Sequence, residues 1–267
     1  EALRDDLADP INGANLVGGF SEKAIESTSI ATSVTVKVPG DYPTLQEAVD
    51  AFSILKPRNN SKVNIVIESG FMPSSGIDVQ NRDCRHITIL SENDSTVTLA
   101  PGFRGASYIS GHENIFIRAW NATPPALGCL VDAADNADTG YCLHDSSMSG
   151  RVLPGCGVIN TSGVGLLVAY GSECDAGRSV FTGAKNQGLH CTTHSKVTAS
   201  EADFSGVRGD SQSSCASVVR GSTAYLRLSK MNNSVDGYGV RASACAVVDL
   251  QHCEILGNFR GAIRATG

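Results

Sequence analysis

The sequence predicts an all-β fold: a right-handed parallel β-helix with a short N-terminal helical neck and a capping helix. Three observations predict it. Apolar residues recur at a fixed period of 22 to 23 in the second half, short alternating strands follow one another with no helix between them, and a single helical start follows the first strand. Composition agrees, because only 18% of the 267 residues are charged and 28 are glycine, which argues against a helical bundle.

Residues 1–33 read as a neck and linker. Leu3 and Leu7 stand four apart in a charged segment ended by Asp9-Pro10, which gives one or two helical turns. So short an apolar stripe needs partners, most simply symmetry mates in an oligomer. Residues 12–20 are a glycine-rich linker. Next, Val34, Val36 and Val38 alternate as a strand closed by Pro39-Gly40-Asp41-Tyr42-Pro43. Thr44-Leu45-Gln46-Glu47 fits a capping box, and Leu45, Val49 and Phe52 supply the apolar side of a short helix. Further strands are expected around Val63, Ile65 and Ile67, Ile87 and Ile89, Val97 and Leu99, and over residues 115–117 and 127–131.

The repeats come next. Leu166-Leu167-Val168 aligns with Leu189-His190-Cys191, Val218-Val219-Arg220, Val240-Arg241-Ala242 and Ala262-Ile263-Arg264, at offsets of 23, 29, 22 and 22. Cys174 and Ala176 keep step with Val197 and Ala199, Leu226 and Leu228, and Val248 and Leu250. Ser179, Ala202, Met231 and Cys253 form another column, as do Phe181, Phe204, Asn233 and Ile255. The long unit carries its extra residues in the polar stretch 209–214, where an insertion costs little. Leu143, 23 residues before Leu166, extends the array back at least to Gly140. A helix-free unit of this length makes one coil of a parallel β-helix, stacked at about 4.8 Å on the next. The units lack the Leu-x-x-Leu-x-Leu pattern of leucine-rich repeats; a β-sandwich with coincidental spacing is the alternative. Residues 34–267 are therefore read as one β-helix domain, truncated at its C-terminus in a piece of a longer protein.

A net charge of −6 offers no broad basic surface, so nucleic acid is not an expected partner. No run of 18 apolar residues and no leader-like N-terminus is present, so membrane insertion is not expected either. Nine cysteines, an odd number with no Cys-x-x-Cys pair, read as small buried hydrophobes of a chain folded in reducing cytoplasm. No cofactor and no metal is implied.

The opening Leu3-Arg4-Asp5-Asp6-Leu7-Ala8-Asp9-Pro10, followed by Gly13-Ala14-Asn15-Leu16-Val17-Gly18, resembles the segment preceding the β-helix domain of bacteriophage tailspikes and tail-fibre depolymerases. The run from Val38-Pro39-Gly40-Asp41-Tyr42-Pro43 through Thr44-Leu45-Gln46-Glu47-Ala48-Val49-Asp50-Ala51 is similar to the entrance of pectin-lyase-like β-helices, where a short helix covers the first coil. The catalytic motifs of pectin methylesterases and polygalacturonases are absent. The tailspike resemblance implies a homotrimer on the virion, in the phage tail, joined to other tail or baseplate proteins through its N-terminal side. It also implies binding of a bacterial surface polysaccharide, capsule or O-antigen, with cleavage by hydrolysis or lyase chemistry.

Glycoside hydrolysis needs two carboxyl groups, about 6.5 to 9.5 Å apart for inversion. With Cys174 inward, Glu173 and Asp175 both face solvent, about 6.6 Å apart along a strand, and Glu201 and Asp203 flank Ala202 in the same way. These four are the catalytic candidates. Against them, the repeat alignment puts Glu201 between Arg178 and Lys230, with His252 beyond, as a charge-balanced ladder; Asp175, Thr198, Arg227 and Asp249 form another column. His144 and His190 fall in one outward column about 9.6 Å apart, either side of Leu167. They are read as groove-lining, binding candidates together with Tyr170, Tyr225 and Arg227; Tyr225 shares a column with Glu173 and Lys196. Trp120, Tyr141 and Tyr238 are further available aromatics. The 209–214 insertion and the 121–140 connection are the expected side walls. Two rival functions remain: a non-catalytic adhesin or stalk, and a secreted bacterial polysaccharide lyase or esterase.

Overall fold

Val34, Val36 and Val38 lie in parallel register with Val63, Ile65 and Ile67, and Val63, Ile65 and Ile67 lie over Ile87, Ile89 and Ser91. Stacking of like residues in this way continues through a computed structural model that describes residues 29–108 and 112–267. The chain winds through about ten turns of a parallel β-helix. The expected neck helix at Leu3 and Leu7 and the 12–20 linker lie outside the described residues. Ser29–Ile30, at the end of the expected linker, already pairs in parallel with Lys56–Pro57.

Three faces run along the coil. The first stacks Ile77–Gln80, His112–Trp120, Thr139–His144, Val164–Ala169, Gln187–Thr192, Ser214–Val219, Tyr238–Ser243 and Gly261–Thr266. Ala106–Tyr108 joins it by pairing antiparallel with His112–Trp120. The second face begins with Val34–Val38, Val63–Ile67, Ile87–Ser91 and Ala126–Gly128. Through the bridge of Leu127 to Val152 it passes to Gly150–Arg151, Glu173–Asp175, Lys196–Thr198, Thr223–Tyr225 and Val247–Asp249. The third is narrower, with Val97–Thr98, Leu130–Asp132 and Gly157–Ile159 followed by single bridges from Gly157 through Val180, Asp203 and Lys230 to Glu254. Gly157 sits where the ladder leaves no room: its φ is +152°, and a Cβ there would fall 1.9 Å from the Val180 carbonyl oxygen.

Corners between faces are made by left-handed residues in vertical files. Asn81, Asn121, Asp145, Tyr170, Thr193, Arg220 and Ala244 all have positive φ at the end of the first face. Arg178, Glu201, Leu228 and His252 do the same after the second, and Asp135, Asn160, Gly183, Gly206, Asn233 and Gly257 after the third. Gly, Asn and Asp adopt this conformation at little cost; a leucine, an arginine or a tyrosine holds it because the coils above and below dictate the path.

The interior is filled by the same vertical logic. Tyr141, Leu166, Leu189, Ala216 and Val240 are fully buried in one file, and the rings of Phe181 and Phe204 stack at 6.0 Å and 7°. One inner corner is polar. The amides of Ser147, Ser172 and Ser195 donate to the hydroxyls of Ser172, Ser195 and Ser222 at 3.1, 3.3 and 3.1 Å. All nine cysteines are free thiols, six of them buried.

The expected helix is present as α1, Leu45–Ser53, with Thr44 at its N-cap accepting the Glu47 amide at 3.2 Å. Its capping box is reorganised: the Thr44 hydroxyl donates to the Glu47 carboxylate. α1 buries Leu45, Ala48 and Val49 and closes the edge of the first face. There the Gln46 carboxamide bonds the main chain of Asp78.

The repeat alignment holds at Leu166, Leu189 and Val240 and slips at the third unit. Ala216 lies between Leu189 and Val240 where Val218 was expected, Ile263 replaces Ala262, and Tyr141 replaces Leu143 beneath Leu166. On the second face Ala224 stands over Val197, and on the third Lys230 stands over Asp203, which moves the expected Leu226 and Met231 by two positions. The cause is side-chain size. Ala216 and Ala224 are small, and matching on bulk favours Val218 and Leu226, two residues on and facing the same way in a strand of period two.

Candidate functional site

On the second face Cys174 points into the core, 4% exposed, so Glu173 and Asp175 project outward on either side of it, as the alternation predicts. They share a depression of about 380 Å³ with Arg151, Lys196 and Thr198. Lys196 Nζ stands 3.8 Å from Glu173 Oε1, and Asp175 Oδ1 accepts the Gly177 amide at 3.2 Å. Their strand positions, about 6.6 Å apart, suit the separation that inverting hydrolysis uses.

The first face carries a second assembly at its corner. Trp120 is 41% exposed and stacks on the His144 ring at 5.9 Å and 21°, while the Arg118 guanidinium lies 5.9 Å from its centre. Arg118 is itself gripped by both carboxylate oxygens of Asp78, at 2.8 and 2.7 Å. The indole is thus held from two sides with its remaining surface open. His144 Nδ1 lies 2.7 Å from Asp145 Oδ2; burial lowers its pKa, opposed in part by that carboxylate. Trp120, Tyr170, Asn81, Asn121, Asp145 and Ser146 line a depression of about 550 Å³. Tyr170 also borders the next groove, of about 480 Å³, whose polar lining includes His112, Gln187, His190, Arg220 and Arg241. In that groove His190 is pushed down to about 4, by burial first and then by His112, Arg220 and Arg241. The 209–214 insertion does reach this groove, because Gln212 accepts a hydrogen bond from Arg241 at 3.3 Å.

Other expected placements are corrected by the register. Glu201 is exposed at a left-handed corner beneath Leu228, with Lys230 instead over Asp203, so no charge-balanced ladder surrounds it. Asp203 lies on the third face with its Oδ1 occupied by the Ser205 amide, and Glu201 and Asp203 share no groove with Glu173 and Asp175. Tyr225 stands in the file of Asp175, Thr198 and Asp249; the file of Glu173 and Lys196 continues to Thr223. Arg227 leaves that column and pairs with Asp249 at 2.7 Å, which holds the Asp249 carboxyl below its ordinary range. His144 follows Trp120 in one file and His190 follows Leu167 in another, two residues away, so they do not form one column. Tyr141 is inside the coil, its hydroxyl donating to the Pro125 carbonyl, and residues 121–140 are an ordinary coil with two short strands instead of a side wall.

No family model matches the chain, and no curated protein matches it. Among the described residues no group of three or more His, Cys, Asp or Glu is placed to hold a metal ion. What the sequence reading missed is the basic lining of the groove: His112, Arg220 and Arg241. The slipped third unit set Arg220 over Val168 and Cys191, as an interior residue. In the true register it is a corner residue, and Ser217 separates His190 from Arg241.

Proposed function

We propose that this β-helix is part of a phage tailspike and binds a bacterial surface polysaccharide along the corner of its first face. The single observation that carries the binding is the depression holding exposed Trp120 and Tyr170 among Asn81, Asn121, Asp145 and Ser146. Sugar rings present apolar C–H faces with polar edges. A fixed aromatic face ringed by carboxamides and hydroxyls is their complement. The assignment to a tailspike rests on the resemblance of the opening and entrance segments and on the parallel β-helix; a homotrimer and a place in the phage tail follow from that resemblance alone.

Trp120 is the only tryptophan, so its emission reads the site directly. Titration with purified capsule or O-antigen from susceptible bacteria is expected to change the emission saturably. Tyr170→Ala should weaken binding about tenfold, a loss of about 1.4 kcal/mol. If no surface polysaccharide in a broad panel alters the emission or is retained by the protein, the reading fails.

Cleavage is a second reading, supported by the Glu173 and Asp175 pair in its own depression with Arg151 and Lys196. It assigns hydrolysis to carboxyl groups on a neighbouring face of the same coils.

A further inference from the structure

The groove beside Tyr170 is lined by His112, His190, Arg220 and Arg241 and by no carboxylate, in a chain whose net charge is −6. His112 is met from outside the groove by Asp138, at 3.2 Å. Among the described residues no carboxylate pairs with Arg220 or Arg241. His190, Ser217 and Arg241 succeed one another in a single outward file. The two larger side chains are therefore about 9.6 Å apart at the backbone, two coil spacings, with only a serine hydroxymethyl between them. Each of these two side chains holds one buried nitrogen, His190 Nδ1 and Arg241 Nε, that lacks a hydrogen-bond partner. A buried polar nitrogen left unpaired costs about 1–3 kcal/mol, and two of them flanking one small residue mark a place kept for something that accepts hydrogen bonds.

We infer that the His190, Ser217 and Arg241 file, with Arg220 at its corner, binds the carboxylate of an acidic sugar residue in the polysaccharide; this rests on the glycan-binding reading above. A carboxylate seated over Ser217 accepts from Arg241 on one side and from His190 on the other. It also brings the negative charge that the surrounding cations lack. Burial first, and then those same cations, hold His190 down near 4, so an arriving anion raises it. The Trp120 and Tyr170 depression then takes a neighbouring sugar ring, since Tyr170 borders both.

Two measurements test this. Ser217→Asp supplies the anion from the chain itself. It is expected to melt several degrees above Ser217→Asn and to raise the His190 titration midpoint by more than one pH unit, read by NMR of the ring. If Ser217→Asp melts below Ser217→Asn with His190 unmoved, the anion site is overturned. The second uses a Trp120-quenching polysaccharide in native and carboxyl-reduced form: the native form should bind at least tenfold more tightly, and Arg241→Gln should remove most of that difference. Equal binding of both forms overturns the inference and leaves the glycan reading standing. If neither form binds, the glycan reading falls, and the Ser217 comparison decides the anion site alone.

Discussion

The carboxamide of Gln46 bonds both main-chain groups of Asp78: its Oε1 accepts the amide at 2.6 Å and its Nε2 donates to the carbonyl at 3.2 Å. Asp78 belongs to Ile77–Gln80, the edge strand of the first face, so α1 supplies through one side chain the hydrogen bonds that a further coil would make. An uncovered edge is a template for pairing with other chains. Gln46→Ala is expected to cost about 1–3 kcal/mol, since it strands both groups. It should also promote self-association, visible by sedimentation at concentrations where the parent is unchanged. A variant as stable and as well dispersed as the parent would falsify this role for α1.

Ser172 links two coils, its hydroxyl accepting from Ser147 and its amide donating to Ser195. Ser172→Ala leaves the buried Ser147 amide without an acceptor, and unfolding in urea should show a loss of about 1–3 kcal/mol. Hydrogen exchange at the Ser147 amide should speed up more than at Leu166, which sits in the apolar file. Equal changes at both would mean the serines act only as small fillers.

Acid should destabilise the fold before its carboxylates protonate. His190 titrates near 4 when folded against an ordinary 6.5, so between those values the unfolded chain binds the extra proton and stability falls as pH falls. By pH 5 the loss is on the order of 2 kcal/mol. His144, also lowered, acts in the same direction. Asp249, Asp135 and Glu92, held below their usual range by Arg227, by Arg208, and by the Ser69 amide with Lys37, lose their pairing only below about pH 4.5. His190→Gln should therefore flatten the drop in melting temperature between pH 7 and pH 5. An unchanged slope would show that His190 is not the group responsible.

The interior files were legible because bulk and apolarity repeat at a fixed interval, and Leu166, Leu189 and Val240 do stack. Ala216 and Ala224 hid the third unit's register. A period-two strand accepts a two-residue slip without changing which residues face inward, so nothing in the apolar pattern flags the error. Corners were less legible still: Arg178, Glu201 and Leu228 adopt left-handed conformations that only their neighbours in space enforce. Glu173 and Asp175 could be placed from local alternation alone. His112, Arg220 and Arg241 could not, since each comes from a different coil and their meeting depends on the register that slipped.

The two depressions lie on different faces, so variants should separate the proposed binding from the proposed cleavage. Trp120 and Tyr170 stand at the end of the first face, Glu173 and Asp175 on the second, with the left-handed turn of Tyr170 and Gly171 between. Glu173→Gln and Asp175→Asn keep side-chain size and remove the acid or base. If the pair hydrolyses the bound polymer, each should lower release of reducing ends by 10²–10⁴, the usual worth of a general acid or base, with affinity for the polysaccharide unchanged. Trp120→Ala should do the reverse at low substrate, weakening binding while saturating polymer restores turnover. Full cleavage by both carboxyl variants would remove Glu173 and Asp175 from the chemistry and leave the Trp120 site as a receptor-binding surface without hydrolysis on the second face.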